Sequence, residues 1–417
     1  MRSQCAYLGG CLLMLEASLL PAINGCSPTQ VQQRLNVLKT GIHTPIQVIQ
    51  DRDPEIFLLK VLAGIQAQIS LVLANPDWQD KEQQQLQAFL GRLALSDATD
   101  PTCNCPATIF IPTGGTSGSL TWIPHTLATL FTAARGFQSW YPHCHSVVVL
   151  PPYHVSGLMP LFRALVNQGS LTVLSWSAFQ ASPPSLEGAI LSLVPTQLQR
   201  LIRDPEWVSL LRGAEMILIG GAPLWPSLRQ QCLGLGIPIA LSYGMTETAA
   251  AAAVIPTQEM EQEGYTLLPH IKAALDPAGR IMLCSDAIPG GIHITDDQGA
   301  WDPQGRLLWQ GRRSACVNTG GEKVIPNEVE AVIWESGLVE DIWVGGIPDP
   351  EWGERLIAVY VGSGDTIPRL TAYVRDHLAP YKCPKSWFPV AALPRQAQGK
   401  VSRRALLTMI GLSSCAT

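Results

Sequence analysis

The stretch ATIFIPTGGTSGSL, residues Ala107–Leu120, joins a β-branched run to a loop made of Thr, Gly and Ser. Thr108 to Ile111 predicts a strand. In the order Thr113, Gly114, Gly115, Thr116, Ser117, Gly118, Ser119, the small residues expose consecutive backbone N–H groups and several hydroxyls. Glycines allow close backbone approach and positive φ, so such a loop can wrap an anion, most obviously a nucleotide phosphate. It is not a Walker A sequence, because no Gly-Lys-Ser/Thr follows. A flexible turn has the same composition, and the flanking chain has to decide between the two.

Downstream of the loop, apolar strands and helices alternate. Strands are expected at Ser146–Leu150, Leu171–Ser175, Ala189–Val194, Met216–Ile219 and Ile237–Ser242, with helices such as Pro195–Asp204 and Leu224–Leu233 between them. Continuous apolar strands separated by helices imply an α/β fold with parallel sheets covered on both faces. Ligands in such folds sit at the carboxyl ends of strands. Thr113–Ser119, Gly220–Leu224 and Tyr243–Thr248 all begin at such ends. Upstream, Ser27–Asp100 reads as mostly helical, with PEIFLLKVLAGIQAQISLVLAN and DKEQQQLQAFLGRLAL as its clearest segments. The alanine run Ala249–Ala253 also favours helix. From Glu263 to Leu308 short β-like runs broken by Gly, Pro and Asp suggest a small β subdomain. About a hundred residues with their own βα alternation follow, enough for a small domain.

At 417 residues, with 47% hydrophobic and 15% charged content, the chain is expected to fold as two or three domains around a large core. Its net charge of −5 argues against general nucleic-acid binding. The 11 scattered cysteines point to reduced thiols and a cytoplasmic location. Met1–Cys26 faintly resembles a secretory signal, but Glu16 interrupts the apolar run and an amphipathic helix is expected there. No apolar segment reaches the length of a membrane span, so no stable membrane insertion is expected. Two charge features stand out. Between Asp100 and Glu187 there is no Asp or Glu, and Arg135 and Arg163 are the only Lys or Arg residues. After Asp376 come six Lys or Arg residues and no acid, with Lys400 following Gly399. The tail is either a solvated basic segment or the carrier of a lysine delivered to phosphate.

Together these segments resemble the adenylate-forming superfamily of acyl- and aryl-CoA synthetases, adenylation domains and luciferases, from Thr113 to Arg403. The resemblance implies a large N-terminal adenylation core over 1–313, including a small β subdomain at 262–313. It also implies a smaller mobile α+β lid at 314–417, with a hinge near Ser314. ATP, Mg²⁺ and CoA are the implied cofactor and cosubstrates. Thr113–Gly118 then cradles phosphate. Gly220-Gly221-Ala222-Pro223 leaves room for adenine. In Ser242-Tyr243-Gly244-Met245-Thr246-Glu247-Thr248, Tyr243 and its neighbours flank adenine, Thr246 meets the α-phosphate and Glu247 reaches the metal. Asp297 and Arg312 address the ribose, although Asp296 stands where the superfamily has Gly, which leaves a one-residue ambiguity. Thr319-Gly320-Gly321-Glu322-Lys323 resembles the loop lining the pantetheine tunnel, and Lys400 the lysine that bridges carboxylate and phosphate. One departure is clear: the usual Pro-Lys after the phosphate loop is Leu120-Thr121 here.

Three further segments, PPYHVSGL (Pro151–Leu158), VPTQL (Val194–Leu198) and FIPTGGTSG, look like the o-succinylbenzoate–CoA ligase branch, enzymes of menaquinone and phylloquinone synthesis. That branch implies an aromatic keto-diacid as substrate. Arg163, nine residues after His154, is the candidate for its benzoate, with a surface arginine as the alternative. His154 would border the acyl pocket and the CoA channel, as a member of the catalytic set, or else pack as a structural histidine. His143 and His145 are expected at the surface or in turns. A ligase for another aryl or acyl acid, and a degenerate nucleotide-binding protein lacking ligase activity, are the competing readings. A homo-oligomer stays open.

Overall fold

The computed structural model describes residues 20–99, 107–114, 120–224, 226–313, 316–320, 322–395 and 401–412. The helix expected within Met1–Cys26 falls largely outside them. The chain divides into two compact units. One comprises Met1–Ser192, Met245–Ala251 and Ser285–Gly291; the other comprises Leu193–Gly244, Ala252–Cys284 and Ile292–Thr417.

The first unit begins β1 (Ala22–Ile23), α1 (Pro28–Lys39), β2 (Ile46–Ile49), α2 (Pro54–Gln66), β3 (Ser70–Leu73) and α3 (Asp80–Thr99). A hairpin of β4 (Thr108–Gly114) and β5 (Leu120–Thr126) follows, then α4 (Leu127–Trp140), β6 (His145–Val148), α5 (Val155–Asn167), β7 (Ser170–Val173), α6 (Trp176–Ala181) and β8 (Ile190–Leu193). Strands β2, β3 and β4 lie parallel, and β5 closes that sheet antiparallel to β4. A second parallel set runs β1-β7-β6-β8. Its core includes Phe57, Leu58, Leu62, Leu71, Ile109, Leu130, Leu158 and Phe162, all buried. Side chains of this size each contribute about 1.5–3 kcal/mol on burial.

The N-terminal segment departs from its helical expectation. Helix α2 starts as the residues dictate, with Asp53 accepting from Glu55 and Ile56 N–H and Pro54 in the first turn. It stops at Gln66, because Gln68 takes a left-handed φ of 59°. The remaining ISLVLAN contributes β3, an inner strand between β2 and β4. An apolar run reads the same as buried helix or buried strand, and strand pairing decides.

The second unit contains α7 (Pro195–Leu201), α8 (Pro205–Arg212), β9 (Met216–Ile219), α9 (Pro226–Gly234) and β10 (Ile239–Met245), with β9 and β10 parallel. The chain then forms β11 (Ala250–Ile255) and β12 (Thr266–Leu267), an antiparallel pair. The alanine run is therefore strand, its helix propensity overridden by pairing. The expected small β subdomain is an antiparallel meander of β13 (Lys272–Leu275), β14 (Arg280–Cys284), β15 (Ile292–Trp301) and β16 (Leu307–Arg312). The last section comprises β17 (Val317–Thr319), β18 (Glu322–Val324), α10 (Pro326–Glu335), β19 (Asp341–Asp349), β20 (Gly353–Val361), α11 (Ile367–His377), β21 (Ser386–Val390) and α12 (Arg403–Met409). Its sheet packs Val344, Leu356, Ala358 and Tyr360 against Val329, Ile333, Leu370 and Val374 of α10 and α11. The α/β class with parallel sheets and a smaller C-terminal domain thus holds. Among the described residues no helix is long and apolar enough to cross a membrane.

Candidate active site

In the first unit the β4–β5 hairpin carries the opening loop. Strand pairing continues to Thr113 opposite Thr121 and Gly114 opposite Leu120, so the loop is a hairpin tip and not a strand-to-helix turn. Gly115, Thr116, Ser117 and Gly118 lie outside the described residues. The Leu120 N–H donates to Gln85 Oε1 at 2.6 Å, which anchors the return strand to α3.

Beside β4, a 3-10 turn at Thr246–Thr248 presents Thr246 and Glu247, both half-buried. The buried Thr248 hydroxyl donates to Ala250 O at 2.6 Å and accepts from Met245 N–H at 3.0 Å. Ala249 and Ala250 follow with φ of 51° and 81°. Non-glycine residues in that region cost about 1–3 kcal/mol each and persist where surrounding contacts over-determine them, typically at functional sites. His125, fully buried on β5, completes the set, with Nε2 2.8 Å from Thr246 O and Nδ1 3.0 Å from Thr129 Oγ1. Burial lowers the basicity of its ring, against the pull of the Thr246 carbonyl and Glu247. Nothing in the local sequence marks His125: it is a histidine in a strand, and its partner lies 121 residues away.

His154 stands at the N-cap of α5, its ring edge-on to Tyr153 at 4.5 Å. Gly157 in the same turn is required by close packing, since a Cβ there would lie 2.3 Å from Pro151 O and 2.4 Å from Leu150 O.

Arg163 is carried by α5. It lies one turn before the end of α5, among His143, Gln138 and Phe137, where β6 begins. Its side chain runs back toward the start of the helix, where Nε meets the Met159 carbonyl one turn earlier. It is not a surface arginine. It is 5% exposed, its guanidinium sits 4.3 Å from the Phe137 ring centroid, and Nε reaches Met159 O at 3.5 Å. Burial lowers its pKa to about 10. His143 is likewise buried: its Nδ1 meets Tyr141 O and its Nε2 meets Ser146 Oγ, while burial and Arg163 lower its pKa to about 4. His145 is half-buried and bonds Ser170 Oγ at 2.8 Å. The carboxylate-free stretch therefore holds a buried polar cluster that residue spacing does not reveal, with Arg163 Nη1 unpartnered among the described residues.

In the second unit, the end of β9 runs into Gly220-Gly221-Ala222-Pro223. Gly220 lies against Ser242, where a Cβ would sit 2.5 Å from Ser242 Oγ, and Gly221 has a φ of 80°. Ser242 Oγ donates to Ile219 O at 3.1 Å, tying β10 to β9 where both loops emerge. Gly244 is exposed. Tyr243 is buried and donates its hydroxyl to Asp297 Oδ2 at 2.9 Å. Arg312 Nε donates to Oδ1 of the same carboxylate at 3.2 Å, across the β15–β16 pair in which Asp297 and Arg312 are register partners. Burial first, and then the Asp297 carboxylate, raise the Tyr243 phenol above its ordinary pKa. Strand alternation separates the two adjacent acids: Asp297 is 4% exposed, whereas Asp296 is exposed on the other face.

Gly320 has a φ of 61° and donates its N–H to Trp352 O at 2.8 Å, with the Trp352 ring 3.0 Å from where a Cβ would be. Lys385 Nζ lies 5.1 Å from the same ring. Gly321, Ser314 and Lys400 fall outside the described residues. On either side of the segment outside the described residues, Arg395 and Val401 form a bridge and Ser402 N–H donates to Pro394 O at 2.7 Å. Arg395 is itself held by Asp341 at 2.6 Å. Among the described residues no three His, Cys, Asp or Glu side chains cluster as a metal cage. A lone carboxylate such as Glu247 suits Mg²⁺, which binds through one or two carboxylates plus substrate phosphates.

The chain belongs to the AMP-binding enzyme family: residues 13–296 match that family, and residues 328–400 match the AMP-binding enzyme C-terminal domain. Among curated relatives, a 2-succinylbenzoate–CoA ligase from Geobacillus sp. (strain WCH70) is 31% identical over 297 residues, covering 63% of this chain and 60% of that protein. A ligase of the same name from Bacillus pumilus is 30% identical over 347 residues, covering 73% of this chain and 69% of the other. The chain thus spans about 60% of the length of the first curated relatives it matches. An o-succinylbenzoate CoA synthetase structure from Bacillus subtilis, in complex with its acyl-adenylate intermediate, shares the fold. Its TM-score is 0.77 at 21% identity, covering 93% of this chain and 94% of that one.

Proposed function

We propose that this chain joins 2-succinylbenzoate to CoA through an acyl-adenylate, consuming ATP and releasing AMP and pyrophosphate, in quinone synthesis. The carrying observation is the buried Asp297 carboxylate, gripped by Tyr243 and Arg312. Its tyrosine stands three residues before the Thr246–Glu247 turn. The acid is assigned from the names of the relatives.

Gly221, Ala222, Pro223, Ser242, Tyr243 and Gly244 border the adenine. Asp297 accepts from the ribose hydroxyls, since a carboxylate offers about four lone-pair sites and Tyr243 and Arg312 occupy two. Thr113 and the loop through Gly118 hold phosphate by backbone and hydroxyl donors, without the usual lysine at Thr121. Thr246 meets the α-phosphate. Glu247 would hold Mg²⁺, which when bound neutralises phosphate charge. Lys400 orients the succinyl carboxylate for attack on the α-phosphorus and balances charge developing there. Rotation of residues 314–417 about Ser314 then withdraws Lys400 and brings Gly320 and Gly321 to the pantetheine path, bordered by His154. Positioning and electrostatics supply the catalysis, with no covalent enzyme intermediate. Among the described residues no cysteine is in a disulfide, in keeping with a reducing, cytoplasmic setting.

Incubation with ATP, Mg²⁺, CoA and 2-succinylbenzoate should yield the thioester and AMP. Absence of thioester, together with AMP formation from a different acid, would sink the assignment.

A further inference from the structure

The mechanism so far makes no use of His125. This residue is completely buried, yet both ring nitrogens are engaged and both partners are specific. A carbonyl only accepts, so the Thr246 carbonyl, 2.8 Å from Nε2, puts the ring proton on Nε2. Nδ1 is left as an acceptor, and the Thr129 hydroxyl at 3.0 Å is the donor available to it. Thr129 stands in the first turn of α4, and its single hydroxyl proton is shared between Nδ1 and Thr126 O, 2.8 Å away, so the ring is anchored to a helix start. On its other side the ring holds the Thr246 end of a turn whose Thr248 end is tied to Met245 and Ala250. The Thr246 carbonyl has one further partner among the described residues, Ala249 N–H at 3.1 Å, and Ala249 and Ala250 both have positive φ. His125 itself is fixed in register opposite Ile109 on the strand that leads to the phosphate loop.

We infer that His125 is a positioning residue for adenylate formation: it locks the Thr246 carbonyl to the β4–β5 hairpin and so sets the direction in which Thr246 and Glu247 face the nucleotide. The inference rests on the reading of Thr246–Glu247 as the phosphate and metal turn. His125 touches neither substrate nor metal. Its role is geometric, and a side chain that restores the donor restores the function.

The test compares wild type with His125→Leu and His125→Gln; the glutamine amide supplies an N–H donor of similar reach. His125→Leu should slow acyl-adenylate formation by roughly ten- to a hundredfold, the loss expected from displacing a group by about 1 Å. Thioester formation from supplied acyl-adenylate should stay within about twofold. His125→Gln should recover most of the loss. A binding readout is independent of turnover. Calorimetry with a non-hydrolysable ATP analogue should show that Mg²⁺ tightens binding to wild type and His125→Gln but much less to His125→Leu. Should His125→Leu fail to fold, nitrogen NMR on wild type still decides: the neutral Nε2-protonated tautomer should persist when nucleotide and Mg²⁺ are added. An Nδ1-protonated ring, or equal loss of both half-reactions in His125→Leu and His125→Gln, overturns the inference. Full retention of the Mg²⁺ effect in His125→Leu removes this inference alone. A wild type whose nucleotide binding ignores Mg²⁺ removes the underlying reading as well.

Discussion

Tyr243→Phe isolates one bond. It deletes the hydroxyl that donates to Asp297 Oδ2 at 2.9 Å and leaves the ring packing in place. Asp297 is 4% exposed, so water does not replace the lost donor freely, and Arg312 at 3.2 Å remains the other side-chain partner. A hydrogen bond to a charged group contributes about 1.5–3 kcal/mol, so the folding equilibrium should fall by roughly one to two orders of magnitude. The substitution also changes the pH profile. The phenol is held above its ordinary pKa of about 10 by burial and by Asp297. The folded protein therefore keeps that proton to higher pH than the unfolded chain. The stabilisation is present in full below about pH 10 and declines as pH rises beyond it. Tyr153 and Tyr265, both raised to about 12 by burial, add to the same alkaline decline. Urea unfolding at neutral pH and again above pH 10 should show a lower stability for Tyr243→Phe at neutral pH and a shallower alkaline fall than wild type. The KM for ATP should rise, because Asp297 loses the contact that orients it. Unchanged stability together with an unchanged alkaline slope would refute the coupling of Tyr243 to Asp297.

Lys400→Ala should abolish acyl-adenylate formation yet spare thioester formation from supplied acyl-adenylate; equal loss in both half-reactions, with the fold intact, contradicts the division of labour. Arg163→Met removes a guanidinium whose Nη1 is buried and unpartnered among the described residues while keeping apolar volume against Phe137. Unfolding should move by no more than about 1.5 kcal/mol, and the KM for the acid should not change; a selective rise in that KM would return Arg163 to the substrate site. Thr121→Lys restores a cation beside the loop, at the residue paired with Thr113. Steady-state kinetics should show a lower KM for ATP, and no change would mean that backbone and hydroxyl donors already saturate the phosphate.

Local chemistry is what the sequence carries best. Turns that need glycine, such as Gly220-Gly221, and the strand alternation that buries Thr295 and Asp297 while exposing Asp296, are written within a few neighbouring residues. So is the order of the motifs, and with it the α/β class. Tertiary structure alone decided what depends on distant partners. ISLVLAN and Ala250–Ile255 became strands because sheet neighbours satisfied their backbones, against their local helical texture. The burial of Arg163 against Phe137 is a consequence of where helix α5 packs. His125 became visible only through a bond spanning 121 residues. Propensity and motif act over one or two turns of chain, whereas burial and hydrogen-bond satisfaction are settled by the whole folded neighbourhood.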